Sequence, residues 1–215
     1  MSLVKKRLEE DEQGEEFILP LSFGQSTPPV DYEKYVDVET LEDNKRIIHI
    51  YFHNEIGDPD KYVPILKYFY TATNDDIIVL HICSEGGQVY TALTICHAIG
   101  STAAITVADV TMAMSAATYI ALSCDCVITH YETEFMCHDR MSGTYGHGRE
   151  NRKLAIHTDK YFEYMSKKIY KGFLTDKEIT KINRDAETLY MFGDEVKTRL
   201  EKWAEVNERQ YIYEE

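Results

Sequence analysis

The chain has 215 residues, with 23 Lys and Arg against 37 Asp and Glu and a formal charge of −14. That length predicts one domain with a substantial core, and the acidity argues against nucleic acid as a partner, because neutralising phosphates takes clustered cations. No apolar run approaches the roughly 20 residues that span a bilayer, and no apolar signal core follows Lys5-Lys6-Arg7, so neither a membrane span nor a secretory leader is expected.

The first 45 residues read as a partly mobile arm: Glu9 to Glu16 is almost wholly acidic, Phe17-Ile18-Leu19-Pro20-Leu21 is one apolar anchoring patch, and Gln25 to Pro29 is polar and Pro-rich. Residues 46–215 are expected to form a single α/β domain. Arg46 to His53 predicts a strand and Pro59 to Tyr70 a helix. Asp75 to Cys83 is a near-continuous apolar strand that ends in Ser84-Glu85-Gly86-Gly87 and leads to a helix over Gln88 to Gly100. A further strand over 102–108 gives way to a helix that Ser115 opens, and strands at 126–129 and 134–138 flank a short hairpin. Beyond them a helix of about six turns carries Leu154, Thr158, Tyr161, Phe162, Met165, Ile169 and Phe173 on one face. Gln210 to Tyr213 reads as an edge strand or packing tail. Short crossovers between the βα units imply a mainly parallel sheet.

Two of these junctions carry chemistry. A serine where a strand becomes a helix is either an ordinary N-cap or a nucleophile held beside free first-turn N–H groups, and Ser115 by itself fits both. The Gly86-Gly87 pair likewise reads as a tight βα turn or as a backbone that turns an N–H toward a substrate carbonyl. It is not a phosphate loop, since neither GxxxxGK[ST] nor GxGxxG occurs. The five cysteines read as reduced core thiols of a cytoplasmic protein. Cys124-x-Cys126 lacks the spacing and the second pair of a zinc site, and no metal or cofactor is expected.

Ser84-Glu85-Gly86-Gly87, Ala113-Met114-Ser115-Ala116-Ala117 about thirty residues on, and Phe135-Met136-Cys137-His138 together resemble the Clp protease proteolytic subunit within the wider ClpP/crotonase superfamily. Ser142 to Gly148 resembles the Gly-rich segment before that family's handle helix. Leu174 to Glu187, LTDKEITKINRDAE, resembles its stretch bearing the triad aspartate. The resemblance implies a ClpP/crotonase-like spiral of repeated ββα units with a handle at about 139–173. It also implies a serine endopeptidase with Ser115 as nucleophile, His138 as general base and Asp185 orienting His138, and an oxyanion hole from the Gly86 and Ala116 N–H groups. The implied partners are unfolded protein or peptide substrate, a Clp-type ATPase unfoldase, and further copies of the chain in one or two rings of six or seven, with no membrane or nucleic acid.

The chain departs from the family at several points. Glu85 replaces the usual proline and sets a charge beside the oxyanion hole. Asp139-Arg140 replaces Gln-Pro, Ala117 replaces Gly, and Thr188-Leu189-Tyr190-Met191 lacks the Arg-Asp pair that links rings. The alternatives are a catalytically inactive structural subunit on the same fold and a crotonase-like acyl-CoA enzyme without a serine nucleophile.

Overall fold

The computed structural model describes residues 35–41, 45–141 and 147–214. The acidic run, the Phe17–Leu21 patch and residues 142–146 of the Gly-rich segment lie outside the described residues.

Residues assigned from sequence to the arm supply the first strand, β1 (Val36–Thr40), which pairs antiparallel with β2 (Arg46–Phe52). Next come α1 (Val63–Thr71), β3 (Ile77–Ser84), α2 (Val89–Ser101), β4 (Ile105–Met114), α3 (Ala116–Ala121) and β5 (Cys126–Cys137). The last elements are α4 (Gly148–Ile169), α5 (Asp176–Asp185), β6 (Leu189–Phe192), α6 (Asp194–Asn207) and β7 (Gln210–Tyr213). The seven strands form one sheet in the order β1-β2-β3-β4-β5-β6, parallel from β2 to β5; β6 and β7 share the outer edge of β5, one antiparallel and one parallel to it.

The hairpin expected between 126–129 and 134–138 does not form. Instead β5 is one strand with a bulge: Val110 faces Thr129, but Met112 faces Glu134. Thr133 fills the bulge, its hydroxyl accepting from His130 N–H at 2.8 Å and donating to Val110 O at 2.7 Å. Both halves of β5 therefore stay parallel to β4, and the far half delivers His138 to the end of β4.

Burial along β3 alternates strictly, because one sheet face lies against the helices. Ile48, Ile50, Ile78, Leu80 and Val127 belong to a core that also holds Phe69 of α1 and Ile95 of α2. The opposite face is polar. His49 Nδ1 is 2.9 Å from His81 Nε2, His81 Nδ1 is 2.9 Å from Asp109 Oδ2, and His130 Nε2 is 2.8 Å from Asp109 Oδ1, a hydrogen-bonded row from β2 to β5.

From Gly148 to Tyr161, α4 buries no residue; only Phe162 and Ser166, nearer its C-terminus, are buried. Among the described residues no helix is long and apolar enough to cross a membrane.

Candidate active site

At the end of β4 the chain turns sharply through Ser115, whose φ of 53° and ψ of −122° are unusual for a residue with a side chain. Such a conformation costs about 1–3 kcal/mol and persists only where its surroundings enforce it. Here Ser115 N–H donates to Met136 O of β5 at 2.7 Å, and Ser115 O accepts from Thr118 N–H at 3.1 Å and from the Thr118 hydroxyl at 2.6 Å. The six residues of α3 that follow are all buried, so the turn is anchored on both sides.

The geometry bears on the capping reading of Ser115. Its hydroxyl makes no capping hydrogen bond to α3. Instead Ser115 Oγ lies 2.6 Å from His138 Nε2, just past the end of β5. A strained strand-to-helix turn that presents a hydroxyl to an imidazole is the arrangement an activated serine nucleophile needs.

The Gly-Gly turn packs directly behind Ser115. A Cβ on Gly86, at φ +92°, would meet Met114 O at 2.5 Å, Ser115 Cβ at 2.8 Å and Ala116 N at 2.9 Å. The next glycine faces another way. Ile56 N–H donates to Gly86 O and Gln88 N–H to Ile56 O, both at 2.7 Å, so Gly87 is the bridged residue between them and its own N–H turns away from Ile56.

The two glycine N–H groups differ in their partners. Gly86 N–H donates to Ser84 Oγ at 3.1 Å, and Ser84 in turn donates to Asn54 O at 2.7 Å. Gly87 N–H and Ala116 N–H have no acceptor among the described residues, and Gly87 is exposed to the cleft. Of the two glycines, Gly87 is thus the one whose N–H, like that of Ala116, is without an acceptor among the described residues. Gly86 packs closely behind Ser115.

Asp185 does not reach His138. It is exposed at the last position of α5, where Ala186 in the left-handed conformation ends the helix, and it makes no hydrogen bond or ion pair with a described residue. His138 has no carboxylate partner within 4.0 Å among the described residues, and its one hydrogen bond is to Ser115. The β5–β6 ladder ends at Cys137 opposite Leu189; continued by one step, that register would set Thr188 across from His138. Sequence reading could not find Thr188, because its place depends on where α5 stops and β6 begins.

The cleft around Ser115 and His138 has a volume of about 710 Å³. Met114, Met136, Val89 and Phe162 supply apolar lining, while Glu55, Glu85 and Arg140 supply charge. Cys137, next to His138, is wholly buried and burial pushes its thiol up to about 12, so it stays protonated and is no rival nucleophile. All five cysteines are free thiols.

The Clp protease family model matches residues 31–197 of the chain. Among solved structures the fold is similar to a mutant ClpP1 from Listeria monocytogenes, at TM-score 0.56 and 19% identity over 77% of this chain and 91% of that one. It is similar also to a peptidase from Plasmodium falciparum, at TM-score 0.56 and 14% identity over 70% of this chain and 91% of that one. No curated protein matches it in sequence.

Proposed function

The chain belongs to the Clp protease family, and from that premise we propose that it is a serine endopeptidase that cleaves unfolded proteins or short peptides through an acyl-enzyme on Ser115. The observation that carries the reading is the 2.6 Å contact between Ser115 Oγ and His138 Nε2 at a positive-φ turn that opens on the cleft. His138 takes the hydroxyl proton as Oγ attacks the scissile carbonyl. The oxyanion that forms accepts from the N–H groups of Gly87 and Ala116. As the C–N bond breaks, His138 returns the proton to the leaving amine, and a water activated by the same imidazole then hydrolyses the ester. The catalytic unit on this reading is a Ser115–His138 dyad, with no carboxylate within 4.0 Å of the imidazole among the described residues.

Assembly belongs to the same proposal. Leu154, Ile156 and Tyr164 of α4 are more than half exposed, an apolar surface that suits burial against further copies of the chain in one ring or two stacked rings of six or seven. Such a compartment would admit unfolded chains, with a Clp-type ATPase as the feeding partner and the reducing cytoplasm as the place of action.

A fluorophosphonate probe tests the chemistry. It should label the wild type on Ser115 and label neither Ser115→Ala nor His138→Ala, with all three equally folded by circular dichroism. Absence of labelling in the folded wild type would favour the second reading, an inactive subunit on the same fold, which the lack of a carboxylate partner for His138 among the described residues supports. Light scattering should give a mass several times 24.9 kDa; a monomer would remove the compartment.

A further inference from the structure

The cleft is charged at one end. Glu85 directly precedes Gly86, and Glu55 Cγ lies 3.0 Å from where a Cβ on Gly87 would sit, so both acids flank the turn that backs Ser115 and bears the oxyanion donor. Both are exposed, both border the cleft with Ser115 and His138, and neither hydrogen-bonds or ion-pairs with a described residue. Arg140, the guanidinium of the lining, is engaged elsewhere: its Nη2 is 2.5 Å from Asp159 Oδ1 and its guanidinium stacks 5.1 Å above the Phe162 ring. The apolar part of the lining includes Met114, Met136 and Val89.

Building on the peptidase reading, we infer that Glu55 and Glu85 select substrates that carry lysine or arginine within two residues of the scissile bond, beside an apolar side chain seated against the methionine lining. A substrate held by the Gly87 N–H has its neighbouring side chains within a few ångströms of both carboxylates. A cation there gains from each, and an acidic side chain is repelled by each, so selection works by attraction and by exclusion. The overall charge of −14 does not account for such a preference at physiological salt, because charges beyond about 8 Å are screened there while the two at the cleft are not. Each pairing at about 6 Å through water corresponds to roughly threefold in an equilibrium or rate constant, so the two together give roughly tenfold.

The test uses quenched fluorescent peptides of one apolar sequence, with Lys, Gln or Glu at each of the two positions on either side of the cleaved bond. The wild type should show kcat/KM for the best Lys peptide roughly tenfold above Gln and about a hundredfold above Glu at 0.15 M salt. In Glu55→Gln/Glu85→Gln the Lys-to-Glu ratio should fall below about five, and 0.5 M NaCl should shrink the ratio in the wild type as well. Equal rates for Lys and Glu peptides in the wild type, or a ratio that survives in the double variant, would overturn the inference. Failure of the peptidase reading is told apart by binding. Fluorescence anisotropy of the same peptides on Ser115→Ala should still rank Lys above Glu if the two acids select, whether or not the wild type cleaves; equal affinities there would sink the selection by itself.

Discussion

Gly86→Ala is the most exacting test of how the nucleophile is held. A new Cβ would lie 2.5 Å from Met114 O, 2.8 Å from Ser115 Cβ and 2.9 Å from Ala116 N, against about 3.5 Å for a relaxed carbon contact. Two of the three atoms are backbone and the third is the nucleophile's own Cβ, so no flexible side chain can swing aside, and the turn must move by about 1 Å. A left-handed φ adds about 1–2 kcal/mol of strain and overpacking about 1–3 kcal/mol, so the loss of stability should be about 2–5 kcal/mol. A fold of ordinary stability survives that, but a 1 Å displacement of a reacting group costs about a hundredfold in rate. The assay is the second-order rate of fluorophosphonate labelling beside the melting temperature. Labelling should fall by roughly a hundredfold and Tm by roughly 10 °C. Gly100→Ala is the matched control: a Cβ there meets nothing within 4 Å, and within α2 it should raise stability by about 0.5–1 kcal/mol. A folded Gly86→Ala protein labelled within threefold of wild type would refute the claim that this glycine sets the Ser115 geometry.

Thr188→Asp should place a carboxylate beside His138, since residues directly opposite on antiparallel strands bring their Cβ atoms to about 5 Å. Peptidase kcat should rise by about ten- to a thousandfold, a part of the roughly 10⁴ that a triad aspartate contributes, whereas Asp185→Ala should leave it within twofold; the opposite pattern would restore Asp185 to the site. Glu178 caps α5 through Thr175 and forks onto Arg199 at 2.6 Å, and these partners, Arg199 foremost, hold its carboxyl down at about 2. Its folded value lies below the unfolded value of about 4.3, so it stabilises the protein above that pH and the contribution drains away as pH falls toward 2. Urea midpoints should therefore show Glu178→Gln less stable by about 1–2 kcal/mol at pH 7, with the gap closing by pH 2; a constant gap would mean the charge is not what stabilises.

The elements that could be read from sequence were those whose own residues enforce a period. The apolar alternation of β3 and the long face of α4 are properties of the segments themselves. β1 and the bulge of β5 are not. Val36-Asp37-Val38-Glu39-Thr40 is an edge strand with four of its five residues exposed, so its composition matches a polar arm until β2 supplies a partner. His130-Tyr131-Glu132-Thr133 is polar enough to read as a hairpin loop, and only the Thr133 hydrogen bonds across to β4 keep the strand continuous. In β6, exposed Tyr190 and Phe192 alternate with inward Leu189 and Met191, an all-apolar run that carries no period-two signal.

Within the site, the same distinction separates what was found from what was missed. Ser115 and His138 each close a strand, so their meeting follows once β4 and β5 are neighbours in parallel. Which glycine N–H is left without an acceptor beside Ser115 is a different kind of fact, because it turns on Ser84 occupying one N–H and Ile56 bridging the other glycine. The third catalytic position is subtler still. Arg184-Asp185-Ala186-Glu187 carries the sequence likeness, yet α5 does not end until Ala186 and the chain meets β5 only from Leu189 onward, so the register continued one step would set a threonine across from His138. An imidazole with no carboxylate at Nδ1 keeps more freedom of tautomer and orientation, and it loses the partner that would stabilise its charged form in the transition state. The strained turn at Ser115 and the donors at Gly87 and Ala116 do not depend on that partner, and oxyanion-hole and binding terms alone retain about 10³–10⁴ over water. On the proposed reading a slow peptidase is thus the expected behaviour, and the size of the gain from Thr188→Asp measures how much rate a carboxylate beside His138 would add.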